Sequence, residues 1–161
     1  MSRKLAGILV ADAVAYSARM EENEAKALAA LSNSRAIIDG ILAEHQGSIV
    51  ATAADSVIAE FPSALDAVRA ALDAQAQLDR DEADNFRFRI GVHFGDVVQQ
   101  DGTLLGDGVN IAARLEPLAP KGGIIISGVV ADQIVGKVDA RFAEIGKHRV
   151  KNIARPVDLY C

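Results

Sequence analysis

The order of apolar and polar residues predicts one domain of alternating strands and helices. Residues 4–11 form an apolar run of strand length that ends at Asp12, as expected for a buried central strand. Apolar residues then recur at helical spacing over residues 17–45, and the polar stretch 32–34 predicts two helices or a bend there. Residues 48–52 and 57–61 are predicted to form a tight hairpin with Asp55 at its tip.

The second half of the chain continues this alternation. Ser63 and Asp66 have a capping spacing at the start of a helix. Apolar residues alternate with other residues over 86–93, which predicts a long strand. A turn or bulge is predicted at Gly95 and Asp96, before the chain continues into residues 97–100. The pattern then predicts a helix, a buried strand, a short helix and two final strands, which span residues 106–118, 124–126, 129–135, 142–149 and 157–160 in that order.

This order of elements predicts the fold class. It favours an α+β fold with a mostly antiparallel sheet and helices packed on one face, in a ferredoxin-like (palm-type) arrangement. Residues 1–161 are expected to form a single domain, because a chain of this length can bury a sufficient core by itself.

Composition and charge narrow the functional classes. The net charge of −5 supplies no basic face for a nucleic-acid backbone, so nucleic acid is not an expected partner. The chain has no apolar stretch near the roughly 20 residues that a membrane span needs. Its single cysteine is Cys161, which leaves no internal disulfide and favours a cytoplasmic location.

Two aspartates are candidates for a metal site. Asp12 follows an apolar strand and Asp55 lies at a predicted hairpin tip, so their carboxylates converge if the two strands are neighbours. Paired carboxylates, together with substrate phosphates, are typical ligands of Mg²⁺. The alternative from spacing alone is that both residues merely end strands or cap turns.

A helical segment offers a phosphate-binding candidate. Asn110 and Arg114 lie four residues apart and therefore on one face of a helix. The guanidinium fork is suited to phosphate oxygens, although such a pair is also typical of a solvated helix face. His93 alternates with apolar strand residues and is interpreted as a structural histidine rather than a ligand or base.

Taken together, four segments of the chain resemble the motifs of class III adenylate and guanylate cyclases. Residues 7–17 (GILVADAVAYS) resemble the first metal motif and residues 51–61 the second-metal hairpin. Residues 106–116 (GDGVNIAARLE) are similar to the family's most distinctive helix, and residues 150–160 to its closing strand. The four segments occur in the family's order and cover nearly the whole chain.

The resemblance implies a head-to-tail homodimer with two sites at the interface. Asp12 and Asp55 of one chain would hold two Mg²⁺ or Mn²⁺ ions, and Asn110 and Arg114 of the other chain would bind the ribose and the phosphates. The implied reaction converts a nucleoside triphosphate, ATP more than GTP, into its 3′,5′-cyclic nucleotide and pyrophosphate. The implied substrate-binding positions are Ala15, Tyr16, Ser17, Ala51 and Thr103.

Several of these positions depart from the family pattern. Ala51 stands where the family has a base-reading lysine, and a methyl group cannot donate a hydrogen bond to adenine N1. Thr103 stands in place of the lysine's usual aspartate partner, and its hydroxyl can still contact a purine. Ala15 and Ala54 replace glycines, and each added methyl is expected to crowd phosphates or strain the backbone.

Three functions follow from these matches and departures. The first is a cyclase that makes cyclic AMP slowly or with relaxed base choice. The second is a catalytically silent cyclase-like module that dimerises and binds a nucleotide or a partner as a regulator. A diguanylate cyclase is disfavoured, because no Gly-Gly-Asp/Glu-Glu-Phe signature occurs.

Overall fold

A single mixed sheet forms the centre of the molecule. The structure is a computed structural model that describes residues 2–81, 84–149 and 156–160. Within these ranges the strands are β1 (Ser2–Ala13), β2 (Ser48–Ala53), β3 (Ser56–Phe61), β4 (Phe88–Gln100), β5 (Thr103–Leu105), β6 (Ile124–Ser127), β7 (Glu144–Arg149) and β8 (Pro156–Tyr160).

The strand order is β2-β3-β1-β4-β6-β8-β7, and β5 pairs with β4 beside this path. Among the described strands, β4 and β6 form the one parallel pair and all others are antiparallel. The helices are α1 (Tyr16–Glu22), α2 (Glu24–Glu44), α3 (Ala64–Arg80), α4 (Asp107–Leu115) and α5 (Gly128–Ile134), and a 3₁₀ turn (Glu116–Leu118) follows α4. The predicted α+β class with a mostly antiparallel, palm-type sheet is therefore confirmed.

Strand β1 is buried on both of its faces. Leu9 and Ala11 point into a core built with α2, α3 and α5, whereas Ile8 and Val10 point into a second core on the other face. The second core includes Ala112 of α4. The expectation that helices cover one face is thus wrong. An unbroken apolar run such as that of β1 is typical of a strand covered on both sides.

The first helical segment breaks earlier than predicted. Asn23 has an extended backbone between α1 and α2, and its side chain accepts a hydrogen bond from the Lys26 N–H at 3.1 Å. The predicted weak point at residues 32–34 lies inside α2. There the buried Ser34 hydroxyl donates to the Ala30 carbonyl at 2.8 Å and accepts the Phe86 N–H at 3.0 Å. Ser34 therefore holds the helix to the chain after α3 instead of breaking it.

The long strand also differs from expectation. β4 runs through Gly95 and Asp96 without a register shift against β1, so the predicted turn or bulge is wrong. A Cβ at Gly95 would lie 3.1 Å from the Nε2 atom of His93, which is a tight contact. The glycine thus leaves room for the His93 ring rather than making a bend.

Other predicted local features are present. The hairpin of β2 and β3 holds Asp55 in its turn, and the Ser63 side chain accepts the Asp66 N–H at 3.0 Å at the start of α3. The closing segment was predicted over residues 150–160. Residues 150–155 lie outside the described residues, and β8 forms the remainder.

A buried histidine links the parallel pair. The imidazole Nδ1 of His93 on β4 lies 2.6 Å from the hydroxyl of Ser127 at the end of β6, and both residues are buried. This contact agrees with the structural role expected for His93. Burial lowers the pKa of His93 from 6.5 to about 4.

We predict that His93 makes the fold acid-sensitive between these two pKa values. The unfolded chain binds a proton there that the folded chain does not, so stability should fall as pH decreases from about 6.5 towards 4. Linkage gives a loss of about 2 kcal/mol at pH 5 relative to pH 7.5. Urea unfolding at both pH values should show a smaller difference for His93→Gln than for the wild type. An equal difference in the two proteins would contradict this assignment.

Candidate active site

Two aspartates from neighbouring strands meet at one corner of the sheet. In the register of β1 against β3, Asp12 lies opposite Ser56, the residue that follows Asp55. The backbone N–H of Ala13 donates to the carbonyl of Asp55 at 2.8 Å. Burial, and then the negative charge of Asp55, raise the pKa of Asp12 above its usual value. The structure therefore brings together the two residues that we call the acidic pair, with Asp12 inside β1 rather than after its end.

A third carboxyl lies close to the acidic pair. Glu116 is only 7% exposed, and its carboxyl shares a hydrogen bond with that of Asp12. Burial, followed by the charge of Asp12, raises the pKa of Glu116 to about 7. Arg89 lies opposite Asp12 in the register of β1 against β4, and its charge opposes both shifts. The Arg89 Nε also donates to the Ala119 carbonyl at 3.0 Å.

The sequence prediction gave no role to Glu116 or Arg89. Glu116 is the last residue of the segment 106–116 on which the family resemblance depends, so a signal for it was present. Arg89 has no comparable signal, because its position follows only from the strand register.

Glycines at two positions allow α4 to pack closely against the sheet, which lets Glu116 reach Asp12. A Cβ placed on Gly91 of β4 would lie 2.8 Å from the backbone nitrogen of Glu116. A Cβ placed on Gly108, at the start of α4, would lie 2.8 Å from the carbonyl oxygen of Asp96. Real side chains essentially never tolerate such distances. Both positions therefore require glycine for α4 to lie where it does.

The two helix residues predicted to bind substrate lie on the outer side of α4. Ala112 and Leu115 are buried against the sheet, whereas Asn110 and Arg114 are exposed. Neither exposed side chain makes a hydrogen bond or an ion pair with another described residue. The cation next to the acidic pair is Arg89, so the structure does not bring Asn110 and Arg114 to the acidic pair of their own chain.

The segment that follows β1 has an unusual backbone. Ala15 has φ 60° and ψ 33°, a left-handed conformation that costs a non-glycine residue roughly 1–2 kcal/mol. The strain expected for an alanine at this position is therefore present. Ala54 has no positive φ, so the strain expected there is absent.

The other residues of this segment divide between core and surface. The half-buried Tyr16 packs against the helix-covered core, with its ring 6.2 Å from that of Phe86. Ser17 is exposed, as is Ala15. The structure thus shows a packing role for Tyr16 and gives no contact that joins Tyr16 or Ser17 to the acidic pair.

The two positions predicted to read the base lie on neighbouring elements. Ala51 is exposed on β2, next to a bulge that shifts the pairing with β3. Thr103 is exposed at the start of β5, after a two-residue turn in which Asp101 and Gly102 both have positive φ. β2 and β5 are in contact, which places both positions on the same side of the molecule.

Comparison with known proteins identifies the family. No family model matches the chain. The structure of an adenylate/guanylate cyclase/hydrolase from Silicibacter pomeroyi superposes with a TM-score of 0.90 at 37% identity, over 99% of this chain and 96% of that one. The chain belongs to the class III adenylate and guanylate cyclase family.

Other relatives of this cyclase-family domain support the same family assignment. A Rhizobium meliloti protein named "Putative adenylate cyclase 3" is 40% identical over 98% of the chain, which covers 28% of that protein. The adenylyl cyclase CyaB from P. aeruginosa shares the fold, with a TM-score of 0.85 at 24% identity over 99% of this chain and 93% of that one. The chain spans about a quarter to a third of the length of the Rhizobium meliloti protein and other curated relatives that it matches. Within the described residues, no helix has both the length and the apolar character needed to cross a bilayer.

The acidic pair of this cyclase-family domain has the chemistry of a divalent-cation site. Its donors are carboxylate oxygens, and burial together with the charge of Asp55 raises the pKa of Asp12. Among the described residues, no group of three or more His, Cys, Asp or Glu side chains is arranged to hold a metal ion. Mg²⁺ is commonly bound by one or two carboxylates with water and substrate phosphates as the other ligands, so the pair fits such an ion.

Proposed function

We propose that this domain is a homodimeric nucleotide cyclase that converts ATP, with relaxed base choice, into the 3′,5′-cyclic nucleotide and pyrophosphate. The observation that carries the proposal is the meeting of Asp12 and Asp55 at one corner of the sheet. The names of the relatives support the cyclase reaction, and more of them are named for adenylate than for guanylate. Participation in cyclic-nucleotide signalling and a cytoplasmic location remain predictions.

The position of α4 supports a site shared between two chains. Asn110 and Arg114 are directed away from the sheet and have no partner among the described residues of their own chain. A second copy, arranged head to tail, would place them against its acidic pair. Each site would then combine Asp12 and Asp55 of one chain with Asn110 and Arg114 of the other.

The reaction requires positioning and charge neutralisation. The 3′ oxygen of the ribose attacks the α-phosphorus, the bond from that phosphorus to the β-bridging oxygen breaks, pyrophosphate leaves, and the hydroxyl proton passes to water. Divalent ions at Asp12 and Asp55 would lower the pKa of the 3′ hydroxyl and stabilise the charge on the phosphates. Arg114 would stabilise the phosphate charge that develops, and Asn110 would orient the ribose.

The alternative is a catalytically silent module that dimerises and binds nucleotide. The strained Ala15 and the missing lysine at position 51 favour it. The acidic pair favours catalysis, as does Arg114, which has no partner among the described residues, because a purely structural remnant has no need for either.

Purified protein incubated with Mn²⁺ and either ATP or GTP, followed by chromatography of the products, distinguishes the two functions. We expect cyclic nucleotide and pyrophosphate in equal amounts. Asp12→Asn and Arg114→Ala should each lower the rate by roughly 10²-fold or more, because each removes a group that stabilises developing charge.

Arg141→Ala is the matched control, since it removes an exposed arginine from a loop outside the site. Its activity should equal that of the wild type. A folded wild-type protein that binds nucleotide without forming product would favour the silent module.

The exposed methyl at position 51 generates a prediction about the base. A site without a donor to the base leaves no buried polar group unpaired when the wrong purine binds, so it should discriminate poorly. Ala51→Lys should raise the ratio of kcat/KM for ATP to kcat/KM for GTP. The corresponding change in activation free energy should be about 1–3 kcal/mol in favour of ATP, the contribution of one polar or charged hydrogen bond. Thr103, on the neighbouring β5, must leave room for the longer side chain.

Ser48→Lys is the control for this substitution, because it adds the same charge to an exposed position of the same strand. It should leave the ratio unchanged. Strong ATP preference in the wild type, with no gain from Ala51→Lys, would mean that another residue reads the base.

A further inference from the structure

The turn that presents Asp55 lacks the backbone that two-residue hairpin turns usually have. Ala53 and Ser56 pair across β2 and β3, so Ala54 and Asp55 alone make the turn. Turns of this length are most often of types I′ and II′, which need a positive φ at one or both central residues. Neither Ala54 nor Asp55 has a positive φ. The twist of the strands therefore does not favour this turn as it favours a primed one, and other contacts must help to hold it.

Thr52 supplies one such contact from within the hairpin. Its hydroxyl oxygen lies 3.3 Å from the carbonyl oxygens of Ala53 and Ser56, the two residues on either side of the turn. A hydroxyl has one proton, so it donates to one of these carbonyls at a time. The carbonyl of Asp55 is held separately, because it accepts the backbone N–H of Ala13 at 2.8 Å. Thr52 and β1 thus both act on the turn.

Arg35 on α2 holds the Thr52 hydroxyl in turn. Its Nη1 donates to the Thr52 oxygen at 2.9 Å. A guanidinium can only donate, so this bond leaves the hydroxyl proton for the carbonyls of the turn. The guanidinium is itself held by Asp39, one helical turn later, whose carboxylate oxygens accept from Nε at 3.3 Å and from Nη2 at 3.4 Å. A guanidinium held at several of its nitrogens keeps one orientation.

Arg35 reaches the hairpin from the face opposite to Ala51. Residues directly opposite each other on paired strands share a face of the sheet, and here Thr52 pairs with Val57 and Ala51 with Ile58. Val57 belongs to the core built with α2, α3 and α5, whereas Ile58 packs against the other core. The contact with Thr52 therefore lies on the helix side of the hairpin, away from the proposed base position, and it can act on the site only through the turn.

We propose that Arg35 is a positioning residue for Asp55: through Thr52 it fixes the two-residue turn, and with it the position of the Asp55 carboxylate relative to Asp12. This inference rests on the proposed function, since it takes the acidic pair as the divalent-cation site. It also gives a reason why alanine is accepted at position 54. Alanine does not readily adopt a positive φ, so the side-chain link stabilises the turn instead.

Mn²⁺ titration of the purified protein tests this inference, with free Mn²⁺ measured by electron paramagnetic resonance. Thr52→Val keeps the shape of the side chain but removes the hydroxyl, and Arg35→Leu removes the donor. Each should weaken Mn²⁺ binding by about tenfold, the lower end of the effect that partners of metal-binding residues typically have. Thr52→Ser keeps the hydroxyl and should stay within about threefold of the wild type.

The double variant separates positioning from general damage to the protein. Because both residues act through one link, Arg35→Leu combined with Thr52→Val should weaken Mn²⁺ binding by about the same tenfold as either change alone. Arg80→Leu is the matched control, since Arg80 is an exposed helix arginine that donates to Gln77 on its own helix, α3. It should bind Mn²⁺ like the wild type.

Asp55→Asn should abolish the tight binding, which identifies the site being measured. Thr52 is exposed, so its two variants carry the test if Arg35→Leu does not fold. Single variants that are folded by circular dichroism and bind Mn²⁺ like the wild type, or whose losses multiply in the double variant, would overturn this inference alone. A wild type whose Mn²⁺ binding is absent, or is unaffected by Asp55→Asn, would contradict the proposed function and this inference with it.

Discussion

The register of β1 between β3 and β4 is the constraint on which the candidate site depends. Antiparallel pairing on one side places Asp12 opposite the residue that follows Asp55, and pairing on the other side places Arg89 opposite Asp12. A slip of one residue would turn Asp12 to the other face of the sheet. Burial of β1 on both faces fixes the register, because any slip would exchange the two apolar faces with their different partners.

The second requirement is the close approach of α4 to the sheet. The helix has an inner face of small and apolar side chains and an outer face that carries Asn110 and Arg114. Gly108 lets the start of the helix pack closely on β4, and Gly91 of β4 lets its C-terminal end reach the sheet, which brings Glu116 to Asp12. One helix therefore brings a buried carboxyl to the acidic corner of its own chain, and in the proposed dimer its exposed amide and guanidinium would serve a second chain. Under the shared-site proposal, each chain would supply half of each of two sites.

Periodicity and turn chemistry were sufficient to predict most of the elements. The hairpin that presents Asp55 and the helix that begins after Ser63 are local features, and local signals predicted them. The break at Asn23 was missed because a capping side chain decided it, while the nearby serine was used in packing. The faces covered by helices were predicted wrongly, since the side of the sheet on which α4 packs is a matter of topology.

Only part of the candidate site could be predicted, because the rest depends on the topology of the sheet. Asp12 and Asp55 could be proposed because each ends an apolar segment and matches a family motif. Arg89 could not, because only the pairing of β4 with β1 brings it to Asp12. Tyr16 was expected near the substrate on the resemblance alone, and the structure shows its ring against Phe86. Non-local contacts are thus what single-sequence reasoning lacks.

The central claim is that each site uses the acidic pair of one chain and α4 of another. The most direct measurement mixes inactive Asp55→Ala chains with inactive Arg114→Ala chains and follows cyclic nucleotide formation after subunit exchange. Random pairing makes about half the dimers mixed, each with one intact site, so about a quarter of the wild-type activity should return. No recovery, with both variants folded and dimeric, would contradict a site shared between chains.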